Sequence, residues 1–297
     1  MNIEKYQQPL KFYLLSIVIP WAFWLLAAYM SYLTPTNTLI NMSVSLLGIL
    51  GLCAPVGVVL MMSAANHQIL NDIKSRLFNF KTIRPIYLLL ACFLMLGSIL
   101  LAQAISLMFG CSVDQFTFAV GSSFAGGALT GTFWMIFAPI VEELAWHSYG
   151  TDCLRQRMNL LYTSLLFAVF WALWHFPAFL VKGYYQNNLE SQGLIYSINF
   201  MVSVFPFVII MNWLYYKANR NIVVAIVFHL TGNYFNELFN TDPDSKIIQT
   251  ILLTVLAAIL ILSDKKFFLQ KTYGARILNS KESEDKCCSD QIVRQAN

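Results

Sequence analysis

The sequence predicts an all-α polytopic membrane helix bundle of about eight transmembrane helices with a polar site inside it, and three observations carry this. Of 297 residues, 58% are hydrophobic and only 11% charged, against roughly 25% charged in an average soluble domain. Apolar runs of about 20 residues, the length that crosses a bilayer core, recur along the chain between short polar breaks. The third observation is how lysine and arginine sort onto the two sides of an eight-span path.

The runs lie near 11–33, 39–64, 86–109, 125–152, 160–180, 194–216, 222–240 and 246–263. The first follows two lysines and is too long for a signal-peptide core, so it reads as a retained span. In the fourth, Gly127 and Gly131 form a GxxxG, with Gly121 and Gly126 before it, a signal for close helix approach. The segment 264–297 is charged and poor in large apolar residues, which predicts a partly disordered tail. The expected units are therefore 1–120 (N-terminal spans), 125–240 (the bundle that carries chemistry), 241–263 (a last span) and the tail. One side of the path receives Lys5, Lys11, Lys74, Arg76, Lys81, Arg84, Arg155, Arg157, Lys217, Arg220 and all seven basic residues beyond 264; the other receives only Lys182 and Lys246. This asymmetry places both termini in the cytoplasm. Compact loops suit a bacterial plasma membrane. The bilayer is one expected partner, and a net charge of +4 with no basic patch interleaved with aromatics argues against nucleic acid.

Six cysteines, at 53, 92, 111, 153, 287 and 288, show neither CxxC nor Cys/His metal spacing, so a disulfide framework is not expected. Cys287 and Cys288 read as reduced thiols.

Ionisable groups inside a span cost several kcal/mol unless they face protein or water, which makes each a candidate for function. Glu142 and Glu143 lie in the fourth run, His175 in the fifth, and His229 with Asn233 in the seventh. Counted from the basic end at about 1.5 Å per residue, they sit at overlapping depths of roughly 12 to 24 Å. Residues four apart share a helix face, which pairs Glu143 with His147 and aligns His229, Asn233 and Glu237. Interhelical hydrogen bonding alone would return about 0.6 kcal/mol per bond, less than burial of a carboxylate pair and two histidines costs. A carboxylate beside an imidazole can deprotonate a water, and an imidazole with a carboxamide can stabilise the oxyanion formed when it attacks a carbonyl. The same set could coordinate a zinc-like divalent metal, with Glu142, His175 and His229 as ligands. No HExxH, GxSxG or GxGD occurs, which removes zincin, serine and membrane-aspartate designs. Cys153 has no base at helical spacing.

At these residues the sequence resembles the CPBP family of intramembrane proteases, which comprises type II CAAX prenyl endopeptidases and bacteriocin-processing or bacteriocin-immunity proteins. The family pattern is Glu-Glu-x-x-x-Arg, Phe-x-x-x-His and His-x-x-x-Asn on three membrane helices. Here Glu142 and Glu143, then His175, then His229 and Asn233 match it in order. Two positions depart: His147 replaces the Arg, and Trp171 replaces the Phe as one bulky aromatic for another. The resemblance implies that Glu142 activates water with help from His175, that His229 and Asn233 support the oxyanion, and that Glu143 organises the site. A metal is described for some members and a metal-free glutamate mechanism for others. The expected activity is endoproteolysis of a membrane-associated polypeptide, not necessarily a prenylated one. Its rivals are an inactive relative that binds a peptide or bacteriocin-like partner, for which His147 is the best support, and a proton-coupled transporter, which lacks the paired interrupted helices.

Overall fold

The computed structural model describes residues 3–35, 37–64, 66–119 and 130–271. The long helices are α1 (Pro9–Ser31), α2 (Thr38–Ala64), α4 (Pro85–Ser106), α7 (Leu160–Trp174), α9 (Leu194–Lys217), α10 (Ile222–Leu238) and α11 (Pro243–Ser263). Short helices α3 (His67–Phe78), α8 (Tyr185–Gln192) and α12 (Lys265–Leu269) lie at the bundle's ends. Between α4 and α7, α5 (Gly131–Ala145) runs through a π-helical turn at Trp146–Gly150 into α6 (Thr151–Arg155). Pairing among the described residues is confined to one isolated bridge, Phe118 to Phe239.

Local sequence accounts for the boundaries. Proline opens α1, α4 and α11, where its missing N–H costs nothing. Side-chain oxygens of Asn66, Thr130, Asn159, Asn221 and Asp242 accept from the first free amides of α3, α5, α7, α10 and α11. Side chains such as Leu10, Leu14, Val18, Leu39, Phe93, Ile195 and Leu262 are exposed on the long helices. An apolar surface of that extent has lipid as its solvent.

Among the described residues six helices are long and apolar enough to cross a membrane, and Ile222–Leu238 is a shorter apolar helix. The all-α polytopic bundle stands, and the described residues do not confirm the expected count of about eight spans. The fourth expected span is interrupted by the π turn, and the seventh is shortened by its polar stripe. Of the glycines read as a packing signal, Gly121, Gly126 and Gly127 fall outside the described residues, as do Cys287 and Cys288. The expected tail begins with order: α12 buries Phe268, Asp264 pairs with Lys217 at 2.5 Å, and Arg155 donates to the Gln270 carbonyl at 3.1 Å.

Helix α1 packs on α2, α4 on α10 and α11, α7 and α11 on α9, and both α2 and α10 on α5. The helix carrying Glu142 and Glu143 is thereby enclosed. Most basic residues gather at one end of the bundle, where Lys5 pairs with Asp72 (3.1 Å) and Arg157 donates to the Gln7 carbonyl (2.8 Å). Two of them do more than mark a side. Arg76 of α3 is buried and donates to the Ser148 carbonyl (2.7 Å) and the His147 carbonyl (2.8 Å), both in the π turn, and to the Tyr6 hydroxyl (2.7 Å). Arg220 lies in the α9–α10 turn, where it and Asn219 take φ of 62° and 56°. That conformation costs a non-glycine residue about 1–2 kcal/mol; ion pairs from Arg220 to Asp152 (2.6 Å) and Asp72 (3.0 Å) offset it. At Asp72 burial opposes the charged form, but Arg76 and Arg220 outweigh it and hold the carboxyl down to about 2.

Candidate active site

The depth argument from sequence places Glu142, Glu143, His175, His229 and Asn233 at overlapping depths, and the three helices bring them to one cavity and its floor. Glu142 and Glu143 leave α5 one residue apart and so point in different directions. Glu143, fully buried, turns toward α10 and along its own helix: its Oε1 accepts from His229 Nδ1 at 2.8 Å, and its Oε2 meets His147 Nδ1. His147, also fully buried, donates from Nε2 to Asn212 Oδ1 at 2.9 Å, and Asn212 Nδ2 donates to Ser164 Oγ at 2.9 Å. The Ser164 hydroxyl spends its own proton on the Leu160 carbonyl (2.9 Å), which fixes the direction of the chain. Both ring nitrogens of His147 thus face acceptors. The ring stands where the family pattern has Arg and ties Glu143 to Asn212 of α9.

Glu142 instead faces α7 and a cavity of about 740 Å³ whose walls include Glu142, Trp171, His175, His229, Asn233 and Lys246. Its Oε2 accepts from Trp171 Nε1 at 2.8 Å and, more distantly, from Trp146 Nε1 at 3.5 Å. Trp171 was expected to be one bulky aromatic exchanged for another. It is more than that, because phenylalanine carries no N–H and the indole holds the Glu142 carboxylate in place. The signal available in the sequence was the donor itself, four residues before His175 on the same face.

His175 closes α7, with Nδ1 at 2.7 Å from the Trp171 carbonyl. A carbonyl can only accept, so Nδ1 carries the proton and Nε2 is left as a base. The Trp174 and Phe200 rings flank the imidazole at 5.0 and 5.3 Å between centroids. His229, whose ring centre lies 5.1 Å from that of Trp171 in a T-shaped contact, has its Nδ1 engaged by Glu143. Among the described residues, Glu142 Oε1, His175 Nε2 and His229 Nε2 therefore have no protein partner, and all three side chains line the cavity. Asn233 and Glu237, one and two turns beyond His229, line it too, so the polar stripe on α10 is a wall of the site.

Among the described residues no three His, Cys, Asp or Glu side chains are grouped so that they could hold a metal ion. Cys153 is fully buried, with Sγ against the Gly150 carbonyl, and has no access to the cavity.

The cavity occupies the half of the bundle away from the basic end. Trp24 and Gly48 border it from the distal halves of α1 and α2, and Gln192 and Thr241 stand at its outer rim, in the connections between helices at that end. A carboxylate and two imidazoles that open onto one cavity inside a bundle of membrane-spanning helices define an intramembrane hydrolase.

Comparison with known proteins specifies which. Residues 124–235 match the family described as Type II CAAX prenyl endopeptidase Rce1-like. A protein of Methanococcus maripaludis named CAAX prenyl protease 2 is 36% identical over 272 residues, which cover 91% of this chain and 99% of that protein. The chain belongs to the type II CAAX prenyl endopeptidase family and is a multi-pass intramembrane endopeptidase with a peptide substrate. The matched segment holds every polar residue brought together at the cavity floor.

Proposed function

We propose that Glu142 and His175 activate a water for direct attack on a peptide carbonyl of a membrane-anchored polypeptide, without a covalent intermediate. The supporting observation is the pattern of open valences: Glu142 Oε1, His175 Nε2 and His229 Nε2 belong to side chains that line the cavity and have no partner among the described residues, and the Asn233 carboxamide lines it beside them. Water between Glu142 and His175 gives up a proton to the pair, and its oxygen adds to the carbonyl carbon. The oxyanion forms beside Asn233, whose carboxamide donates, and beside His229, which donates from Nε2 when it carries a proton there. Glu143 holds His229 by Nδ1, so its role is to orient, and His147 with Asn212 in turn orients Glu143. As the tetrahedral species collapses, Glu142 returns its proton to the leaving amine, and one water is consumed per bond cut. The departure at His147, which motivated a non-catalytic reading, leaves Glu143 paired on both oxygens and so gives that reading no foothold.

The basic end faces the cytoplasm by the positive-inside bias. It follows that the cavity mouth faces the opposite side, and that the substrate enters from there or laterally from the bilayer. The Methanococcus protein is named as a CAAX prenyl protease; for this chain the anchor is a lipid or a membrane-embedded segment of the substrate. Cleavage of an N-palmitoylated peptide by purified protein, with Glu142→Ala as control, tests the activity. Equal cleavage by the two proteins would reject the site.

A further inference from the structure

The carbonyl that the π turn frees is the one that Arg76 occupies. In a continuous α-helix the Thr151 amide would donate to the His147 carbonyl, four residues back; here it donates to the Trp146 carbonyl, five residues back. The buried His147 carbonyl thereby loses its helical donor. In its place it accepts from Arg76 Nη1 and from the Tyr215 hydroxyl, each at 2.8 Å. Arg76 Nη2 takes the next carbonyl, that of Ser148, at 2.7 Å. The same guanidinium meets Asp152 of α6 at 3.1 Å and Asp72 of its own helix at 2.8 Å, and only 5% of the side chain is exposed.

One extra residue in the hydrogen-bond ladder turns the helix beyond it by about 100° relative to the helix before it, a single residue's share of a 3.6-residue turn. In the π register Glu143 of α5 meets His229 while Asp152 of α6 meets Arg76 and Arg220. Relaxation to an α register would return the Thr151 amide to the His147 carbonyl and take one of those two meetings apart. Arg76 opposes it at both points, since it fills the freed carbonyl and grips Asp152. The residue whose carbonyl is held is also the one whose ring spans Glu143 and Asn212. We propose that Arg76 is a positioning residue for the hydrolysis: it fixes the register of α5 against α6 and thereby the bearing of Glu143 and His147 on His229. This rests on the endopeptidase reading above. It adds a residue of α3, outside the segment 124–235 that matches the family, on which the chemistry depends.

Position is separable from stability. Arg76→Lys keeps a cation between Asp72 and Asp152, but a single ammonium has no planar fork with which to hold two successive carbonyls. With an N-palmitoylated peptide as substrate and rates taken per folded enzyme, kcat should fall about 10- to 100-fold, the range for a hydrogen bond to a charged group, with KM within about twofold. Tyr215→Phe deletes the second donor to the same carbonyl and leaves every charge in place, so it serves where Arg76→Lys does not fold. Its kcat should fall about 3- to 10-fold, the range for a neutral bond. Both variants are also read by ring-nitrogen NMR of the full-length protein in detergent, with the signals of its four histidines assigned by single His→Gln substitutions. The His229 signal decides, because that ring meets Glu143, Trp171 and Phe207 and neither of the substituted residues. It should shift in both variants, together with that of His147. An unmoved His229 signal overturns the proposal, whatever the rates do. A shifted signal with the parent's kcat would count against the orienting role given to Glu143 and His147 in the catalytic reading, and the register assignment would stand.

Discussion

Two buried polar clusters share α5 and α6 and are built from similar residue types, yet they are finished differently. At the basic end, Asp152 is met by Arg76 (3.1 Å), Arg220 (2.6 Å), Tyr215 (3.2 Å) and Tyr216 (3.1 Å), and Arg76 further donates to Tyr6 and to two π-turn carbonyls. Aromatic rings and helices fill the space around these charges. In the middle of the bundle, Glu143 and His147 are finished in the same way, but Glu142, His175 and His229 each keep one atom open to the cavity. Charge in a low-dielectric interior is tolerated when every valence is met, and it becomes available for chemistry where one is left unmet. The clusters touch: Arg76 and Tyr215 both bond the carbonyl of His147, whose side chain holds Glu143. The closed cluster is the frame on which the open one is hung.

Substitution should separate the two by what fails. Glu142→Ala and His175→Ala are expected to abolish cleavage while the protein accumulates and unfolds thermally as before; a parallel loss of folded protein in detergent would make them structural instead. Asp152→Ala should do the reverse, destabilising the fold by up to about 3–5 kcal/mol because the buried Arg76 and Arg220 are left to share Asp72 as their one carboxylate. A melting temperature within experimental error of the parent's would show that the cluster is not a frame.

Smaller changes sharpen the division inside the site. Asn233→Ala should lower kcat by about 10²–10³ with little change in KM, the signature of a contact made to the oxyanion; a pure KM effect would instead mark substrate binding. Trp171→Phe restores the family's ring but deletes the donor to Glu142, and kcat/KM should fall by about 10- to 100-fold, the worth of one hydrogen bond to a charged group. Activity equal to the parent would return Trp171 to the role of bulk.

The smallest effect is expected from acid at the basic end. Asp72 titrates lower in the folded protein than the roughly 3.9 of an unfolded carboxyl, so its contribution is complete above about pH 4 and is lost as pH falls toward about 2, where the folded carboxyl takes up its proton. Thermal stability should decline over that interval, and less steeply for Asp72→Asn. An identical acid profile for the two proteins would remove Asp72 from the frame.

The candidate catalytic residues were legible in the sequence because lipid makes intramembrane carboxylates and imidazoles conspicuous, and helical periodicity then puts Glu143 with His147 and His229 with Asn233 and Glu237. Their partners across the bundle were not. Nothing local pairs Asn212 with His147, 65 residues away, or Trp171 with Glu142, 29 residues away. Arg76 and Arg220 read as topology markers and are structural pillars, because a charge count cannot distinguish a cation in water from one enclosed by Asp152 and Tyr215.

By itself the sequence determined the all-helical membrane class, the asymmetry of basic residues and the overlapping levels of the candidate site residues, since each follows from composition and from the 1.5 Å rise of a helix. Only tertiary structure decided which oxygen of Glu142 is held and which is free, which end of the bundle the cavity opens to, and that the fourth span breaks at a π turn clamped by Arg76. Those outcomes depend on which faces of separate helices meet, a relation between distant parts of the chain that no periodicity within one segment encodes.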